Sequence, residues 1–171
     1  MKLRCAVVTV SDSAHLGLRQ DASGPAVAAR LTQAGHAIVL AAVLPDERER
    51  IAATLKELAG AGGYDAIFTT GGTGLSARDV TPEATLSVIE REIPGFGELM
   101  RAEGVKTTRR AALSRSTAGT LGRTVIVNLP GSPRGALESL NAILDLVPHV
   151  VELLQGRTEH PAGEAPGAKP E

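Results

Sequence analysis

Four short apolar runs, each closed by glycine- or proline-bearing punctuation, constrain what this chain can fold into. They occupy residues 3–10, 38–44, 66–70 and 124–129. Unbroken Val, Ile, Leu and Ala suits strands covered on both faces, as in a parallel sheet, because a strand with one wet face would alternate. The stretches between them have a helical rhythm. Residues 25–34 are Ala-rich and stop at Gly35, a C-terminal stop signal. Residues 47–59 place Ile51, Leu55 and Leu58 on one face and end at Gly60. Residues 133–154 carry Leu137, Leu140, Ile143, Leu144, Val147, Val150 and Val151, and Pro148 is expected to kink or split them. Strand–helix alternation implies βαβ units with right-handed crossovers. One segment departs from this pattern. Residues 115–121 and 124–128 flank Gly122-Arg123, a two-residue turn of the II′ kind, so an antiparallel hairpin should join the sheet. The expected fold is a three-layer α/β/α domain over residues 1–155, with a mainly parallel sheet and one antiparallel pair. Residues 156–171 have no apolar period and many Pro and Gly, and are expected to form a disordered tail.

Composition removes several functions. Only Tyr64, Phe68 and Phe96 are aromatic, too few for a platform on which bases stack. A net charge of −1 lacks the basic footprint of a duplex binder, so no nucleic-acid partner is expected. The single Cys5 reads as a buried small hydrophobe and can form neither an internal disulfide nor a Cys-rich zinc site. His15, His36, His149 and His160 are never at zinc-helix spacing. No apolar run approaches the roughly 18 residues that span a bilayer. The expectation is a soluble, cytoplasmic protein that recognises a small polar molecule.

In an open α/β sheet, ligands bind beyond the carboxyl ends of the strands. The residues there are Ser11-Asp12-Ser13, then Pro45-Asp46-Glu47, then the stretch from Thr69 to Pro82, then Leu129-Pro130-Gly131-Ser132-Pro133-Arg134. Gly71, Gly72 and Gly74 expose backbone N–H groups as phosphate-cradling nests do, with Thr70 and Thr73 as hydroxyl donors. No Lys-Ser or Lys-Thr follows at Walker A spacing. Gly72-Thr73-Gly74-Leu75-Ser76-Ala77 matches a dinucleotide fingerprint weakly, because the next helix begins only near Pro82. Asp46 and Asp79, taken singly, are equally well read as helix or turn caps. Together, beside a phosphate-type loop, they are what a Mg²⁺–nucleotide site requires. Arg134 at a helix start works against the dipole, which points to a ligand anion, and Ser114-Arg115 supplies a second cation. Arg109-Arg110 and the other arginines read as surface.

Five motifs then occur in register: Thr69-Thr70-Gly71-Gly72-Thr73-Gly74, Arg78-Asp79-Val80-Thr81-Pro82-Glu83-Ala84-Thr85, Pro94-Gly95-Phe96-Gly97-Glu98, Leu113-Ser114-Arg115 and Asn128-Leu129-Pro130-Gly131-Ser132-Pro133. In these the chain resembles the MogA/MoaB family of molybdenum-cofactor biosynthesis proteins, to which the gephyrin G domain is related, over residues 3–155. The resemblance implies a homotrimer that binds molybdopterin and adenylylates it, using Mg²⁺ and ATP as co-substrate and releasing pyrophosphate. It implies that Asp46 and Asp79 are the catalytic acids and the candidate Mg²⁺ ligands. It assigns substrate and nucleotide binding to Ser11, Asp12, Ser13, Thr70, Gly71, Gly72, Thr73, Gly74, Ser114, Arg115, Pro130, Gly131, Ser132 and Arg134. The last motif often ends in Lys; Arg134 keeps the charge but presents a planar fork. The alternative within the family is a MoaB-type protein that binds molybdopterin without catalysis, and the two aspartates favour the enzyme.

Overall fold

The computed structural model describes residues 1–157, and four of its six strands fall where the apolar runs predict. The chain runs β1 (Arg4–Val10), α1 (Asp12–His15), α2 (Ser23–Gln33), β2 (Ala37–Leu44), α3 (Arg48–Gly60), β3 (Ala66–Thr70) and α4 (Thr81–Leu86). There follow β4 (Arg91–Glu92), α5 (Pro94–Val105), a 3-10 turn (Arg109–Leu113), β5 (Ala118–Leu121), β6 (Thr124–Leu129), α6 (Pro133–Asn141) and α7 (Val147–Leu154). The sheet order is β2-β1-β3-β6-β5-β4, with β2, β1, β3 and β6 parallel.

Period-two geometry sorts the core into two halves. Cys5 and Val7 of β1, Phe68 of β3, and Val125 and Val127 of β6 pack on one face with Val27 and Leu31 of α2, Met100 of α5, Leu140 of α6 and Val151 of α7. Ala6 and Val8, Ile67 and Ile126 pack on the other with Ile51 and Leu55 of α3 and Ala84 of α4. Both halves are built almost wholly of aliphatic side chains, so helices can sit close on each face and the layers number three, as expected.

The structure departs from the sequence reading at three places. β2 is not buried on both faces; it is the last strand in order, helices cover it only in part, and Val39 is 53% exposed. The long final helix breaks at residues 142–146 rather than at Pro148, which lies in the first turn of α7, where a missing N–H breaks no helical bond. The β5–β6 hairpin forms around Gly122 at φ +56°, and the two-residue β4 adds a second antiparallel ladder outside it. Two residues carry no period to read.

Gly156, at φ +79°, terminates α7, and the Arg157 N–H donates to the Glu152 carbonyl. The rest of the expected tail lies outside the described residues. No described helix is long and apolar enough to cross a membrane.

The crossovers also place the site. From β1 the chain goes through α2 to β2 on one side, and from β2 through α3 to β3 on the other side of β1. The chain leaves β1 for α2 on one face and β3 for α4 on the other, so the two connections diverge and leave a crevice at that switch point.

Burial of Cys5 on β1, with Asp65 nearby, pushes its thiol up to about 12 and removes the reactive thiolate. Ellman's reagent should find no reactive thiol in the folded protein near pH 8, where an unperturbed thiol would react, and one per chain after unfolding. Prompt labelling of the folded form would contradict this packing.

Candidate active site

The carboxyl ends of β1, β3 and β6 meet through glycine. Gly71 follows β3 at φ +105°, and its N–H donates to the Leu129 carbonyl at 3.1 Å. A Cβ at Gly71 would stand 2.2 Å from the Val10 carbonyl oxygen, so no side chain fits. The Thr70 hydroxyl donates to the Pro130 carbonyl at 2.7 Å, welding the two strand ends. Beneath them the buried Asn128 amide donates to the hydroxyls of Thr69 (2.9 Å) and Thr85 (2.8 Å), tying β6 to β3 and α4.

The loop after Gly71 turns its carbonyls inward. Gly72 O accepts from the Thr81 N–H, Thr73 O from the Arg115 N–H, and Gly74 O from Arg115 Nε at 2.7 Å. In a planar trans peptide the following N–H points the opposite way. The amides of Thr73, Gly74 and Leu75 are thus directed away from these donors, and all three residues line a cavity.

Neither aspartate is the N-cap of the helix that follows it. Asp46 precedes α3, whose N-cap is Glu47, and exchanges hydrogen bonds with Asp12: the Asp12 N–H donates to Asp46 Oδ2 at 2.8 Å and the Asp46 N–H to Asp12 Oδ1 at 2.9 Å. Asp12 is held as well by Arg78, whose Nε donates to Oδ2 at 3.0 Å and Nη2 to Oδ1 at 2.9 Å. The Asp46 N–H and then the Arg78 guanidinium lower the Asp12 carboxyl below its ordinary range. Asp46 moves the other way: burial raises it most, with the neighbouring charges of Asp12 and Asp79 adding to the rise. Asp79 accepts the Ser76 N–H on Oδ2 at 2.7 Å.

Two cavities open on this edge, of about 490 and 370 Å³. They share Gly72, Asp79, Gly131 and Ser132, and Asp46 faces the second. One lies toward α5, the 3-10 turn and α6; the other lies at the switch point between β1 and β3, with Ser11, Arg19 and Asp21 on its wall.

A family profile described as "Probable molybdopterin binding domain" matches residues 6–149. The chain belongs to that family. It is 38% identical over 152 residues to the molybdopterin adenylyltransferase of Helicobacter pylori, covering 88% of this chain and 86% of that one. It is 38% identical over 168 residues to that of Escherichia coli K12, covering 90% and 86%. Among solved structures, the molybdopterin biosynthesis enzyme MoaB from Thermus thermophilus superposes with a TM-score of 0.83 at 47% identity, covering 90% and 97%.

Of the residues expected at the site, Ser11, Asp46, Thr70, Gly71, Gly72, Thr73, Gly74, Asp79, Ser114, Pro130, Gly131 and Ser132 line one cavity or the other. Ser11 and Ser132 also cap α1 and α6. Asp12, Ser13, Arg115 and Arg134 line neither. Arg115 holds the loop: besides Gly74 O it donates to Asp79 O at 2.6 Å and pairs with Glu83. Arg134 pairs with Glu138 one turn along α6, so its place at the helix start has a local reason.

The cations on the cavity walls are others: Arg101 and Arg110 on one side, Arg19 on the other. Arg110 is exposed, as the surface reading expects, and from the 3-10 turn after α5 it also lines the first cavity. Arg101 had a signal. It lies one helical turn from both Gly97 and Gly104, and a Cβ on Gly97 would lie 3.2 Å from the Arg101 guanidinium.

Gly72 and Gly62 have nearly the same left-handed φ, +64° and +66°. A Cβ at Gly72 would lie 2.3 Å from the buried Thr81 hydroxyl, whereas at Gly62 nothing lies within 4 Å. Gly62→Ala should cost only the left-handed penalty of about 1 kcal/mol, and Gly72→Ala at least about 1 kcal/mol more, read by urea unfolding. Equal losses would mean that the Gly72 contact is not close.

Proposed function

We propose that this protein is a cytoplasmic molybdopterin adenylyltransferase: it transfers AMP from ATP to the terminal phosphate of molybdopterin and releases pyrophosphate. One observation carries the reading. Asp79 stands on the wall shared by two cavities, of which one is lined by Asp46 and the other by the loop residues Thr73, Gly74 and Leu75. Two cavities that meet at an anion-binding loop suit a reaction between two phosphate-bearing substrates. The membership of the family and the relatives named above support the substrate class.

Among the described residues no three His, Cys, Asp or Glu gather as a closed metal cage. Mg²⁺ does not need one, since it takes one or two carboxylates and completes its shell with water and phosphate oxygens. Asp46 and Asp79 fit that pattern. Their mutual repulsion and the burial of Asp46 are what a cation would relieve. In this reading Asp46 and Asp79 hold Mg²⁺, which when bound neutralises charge on the phosphate oxygens.

The chain's own residues do the positioning. The amides of Thr73, Gly74 and Leu75 bind phosphate oxygens, with Arg110 and Arg19 supplying positive charge on the two sides. A phosphate monoester is already ionised at neutral pH, so its attack on the α-phosphorus needs no strong base. Rate comes from alignment and from donors fixed before the reaction.

Pyrophosphate release from Mg-ATP and molybdopterin tests this. Asp46→Asn and Asp79→Asn should each lower kcat by at least about 100-fold, as loss of a fixed charge at a transition state does. Full activity in both variants would overturn the assignment. Wild-type protein that binds molybdopterin without making pyrophosphate would make it the non-catalytic member instead.

The homotrimer belongs to the same reading. Light scattering should find three chains per particle, and a monomer at working concentration would exclude it.

A further inference from the structure

Three loops with no sequence proximity are joined by one side chain outside both cavities. Arg78 belongs to the loop after β3 and is the covalent neighbour of Asp79. Its guanidinium grips Asp12, which follows β1, in a two-pronged contact at 3.0 and 2.9 Å. Asp12 in turn exchanges hydrogen bonds with Asp46, which follows β2, at 2.8 and 2.9 Å. Asp12 Oδ1 accepts from the Asp46 N–H and from Arg78 Nη2 together. The chain of contacts thus runs from Asp79, through the backbone of Arg78, across the ion pair, to Asp46.

We infer that Arg78 is a positioning residue whose ion pair with Asp12 fixes the separation and orientation of the Asp46 and Asp79 carboxylates. The inference deepens the adenylyltransferase reading and rests on it for the roles of the two aspartates. Two arguments support it. Geometrically, a fork on a carboxylate restricts distance and rotation at once, where a single contact would restrict only distance. Electrostatically, Asp12, Asp46 and Asp79 are three carboxylates in one neighbourhood, and Arg78 is the cation placed on Asp12. Without it Asp12 would repel its neighbours uncompensated, and the loops would separate.

The side chains of Arg78 and Asp12 are 59% and 38% exposed, so the pair contributes little to global stability. That separates positioning from folding. Arg78→Gln should leave Tm within about 3 °C of wild type, as loss of an exposed ion pair does.

The first measurement needs no substrate. Amide hydrogen exchange by NMR should show the N–H groups of Asp12 and Asp46 exchanging at least about tenfold faster in Arg78→Gln than in wild type, since their mutual bonds are no longer held. Unchanged exchange at both amides overturns the inference.

The second measurement is adenylylation. Arg78→Gln should lower kcat by about 10- to 100-fold with KM for ATP and for molybdopterin changed less than about threefold. Arg78→Lys should recover part of the loss, keeping the charge but not the fork. Because Arg78 acts through Asp12, the double variant Arg78→Gln with Asp12→Asn should be no slower than the slower single variant. Losses that multiply, or a loss confined to KM, would mean that Arg78 contacts substrate directly and would overturn the inference. If wild type forms no adenylylated product, the functional reading fails, and the amide-exchange result still decides whether Arg78 holds the pair.

Discussion

Gly71 can carry no side chain, because the Val10 carbonyl oxygen occupies the place where its Cβ would be. The rest of the site depends on that contact. It lets the loop after β3 lie directly against the end of β1, while the Gly71 N–H binds the last residue of β6 and the Thr70 hydroxyl the turn after it. The ends of β1 and β6 are thereby each fixed against the end of β3. The residues that follow them, Ser11 and Asp12, Gly72 and Thr73, Gly131 and Ser132, inherit their positions from this junction.

Charge in the molecule is divided between holding and offering. Arg115 commits its guanidinium to Gly74 O, Asp79 O and Glu83, and Arg78 commits its own to Asp12. Neither lines a cavity. Arg19, Arg101 and Arg110 do, and of these Arg101 also holds backbone, donating to the Ser114 and Ser116 carbonyls at 3.3 and 3.1 Å. An exposed ion pair contributes about 0.2–1 kcal/mol, a small share of a domain's stability, so the value of the first two arginines lies in geometry. Both meet the segment that carries Asp79, one at its start and one across its backbone.

Most of the fold was legible because it is written in local periods. Cys5 and Val7 alternate with Ala6 and Val8, and the two sets go to opposite layers. Gly122 marked the hairpin because only a positive φ closes that turn with the right twist. β2 misled, since a run such as Ile38–Val39–Leu40 reads alike at the centre and at the edge of a sheet. The site was legible in part. Asp46 and Asp79 are legible as carboxylates at strand ends; the partner Asp12 removes the α3-cap reading of Asp46, whereas Asp79 does cap its own turn through the Ser76 N–H. Arg115 and Arg134 are cations near the right loops, yet both pair with carboxylates, whereas the exposed Arg110 lines a cavity.

The sequence by itself determined all the strands but the two-residue β4, the glycine turn of the hairpin, and that four strand ends would share one edge. These follow from side-chain period and backbone sterics, which act over a few residues. Only the tertiary structure decided which charges remain available. Arg78 meets Asp12 across 66 residues and Arg115 meets Glu83 across 32. Such pairings depend on how loops from separate strands pack, and no spacing along the chain encodes them. An arginine's type and neighbourhood can be read from the sequence, but whether it binds a ligand or a carboxylate is fixed by the nearest acceptor in space.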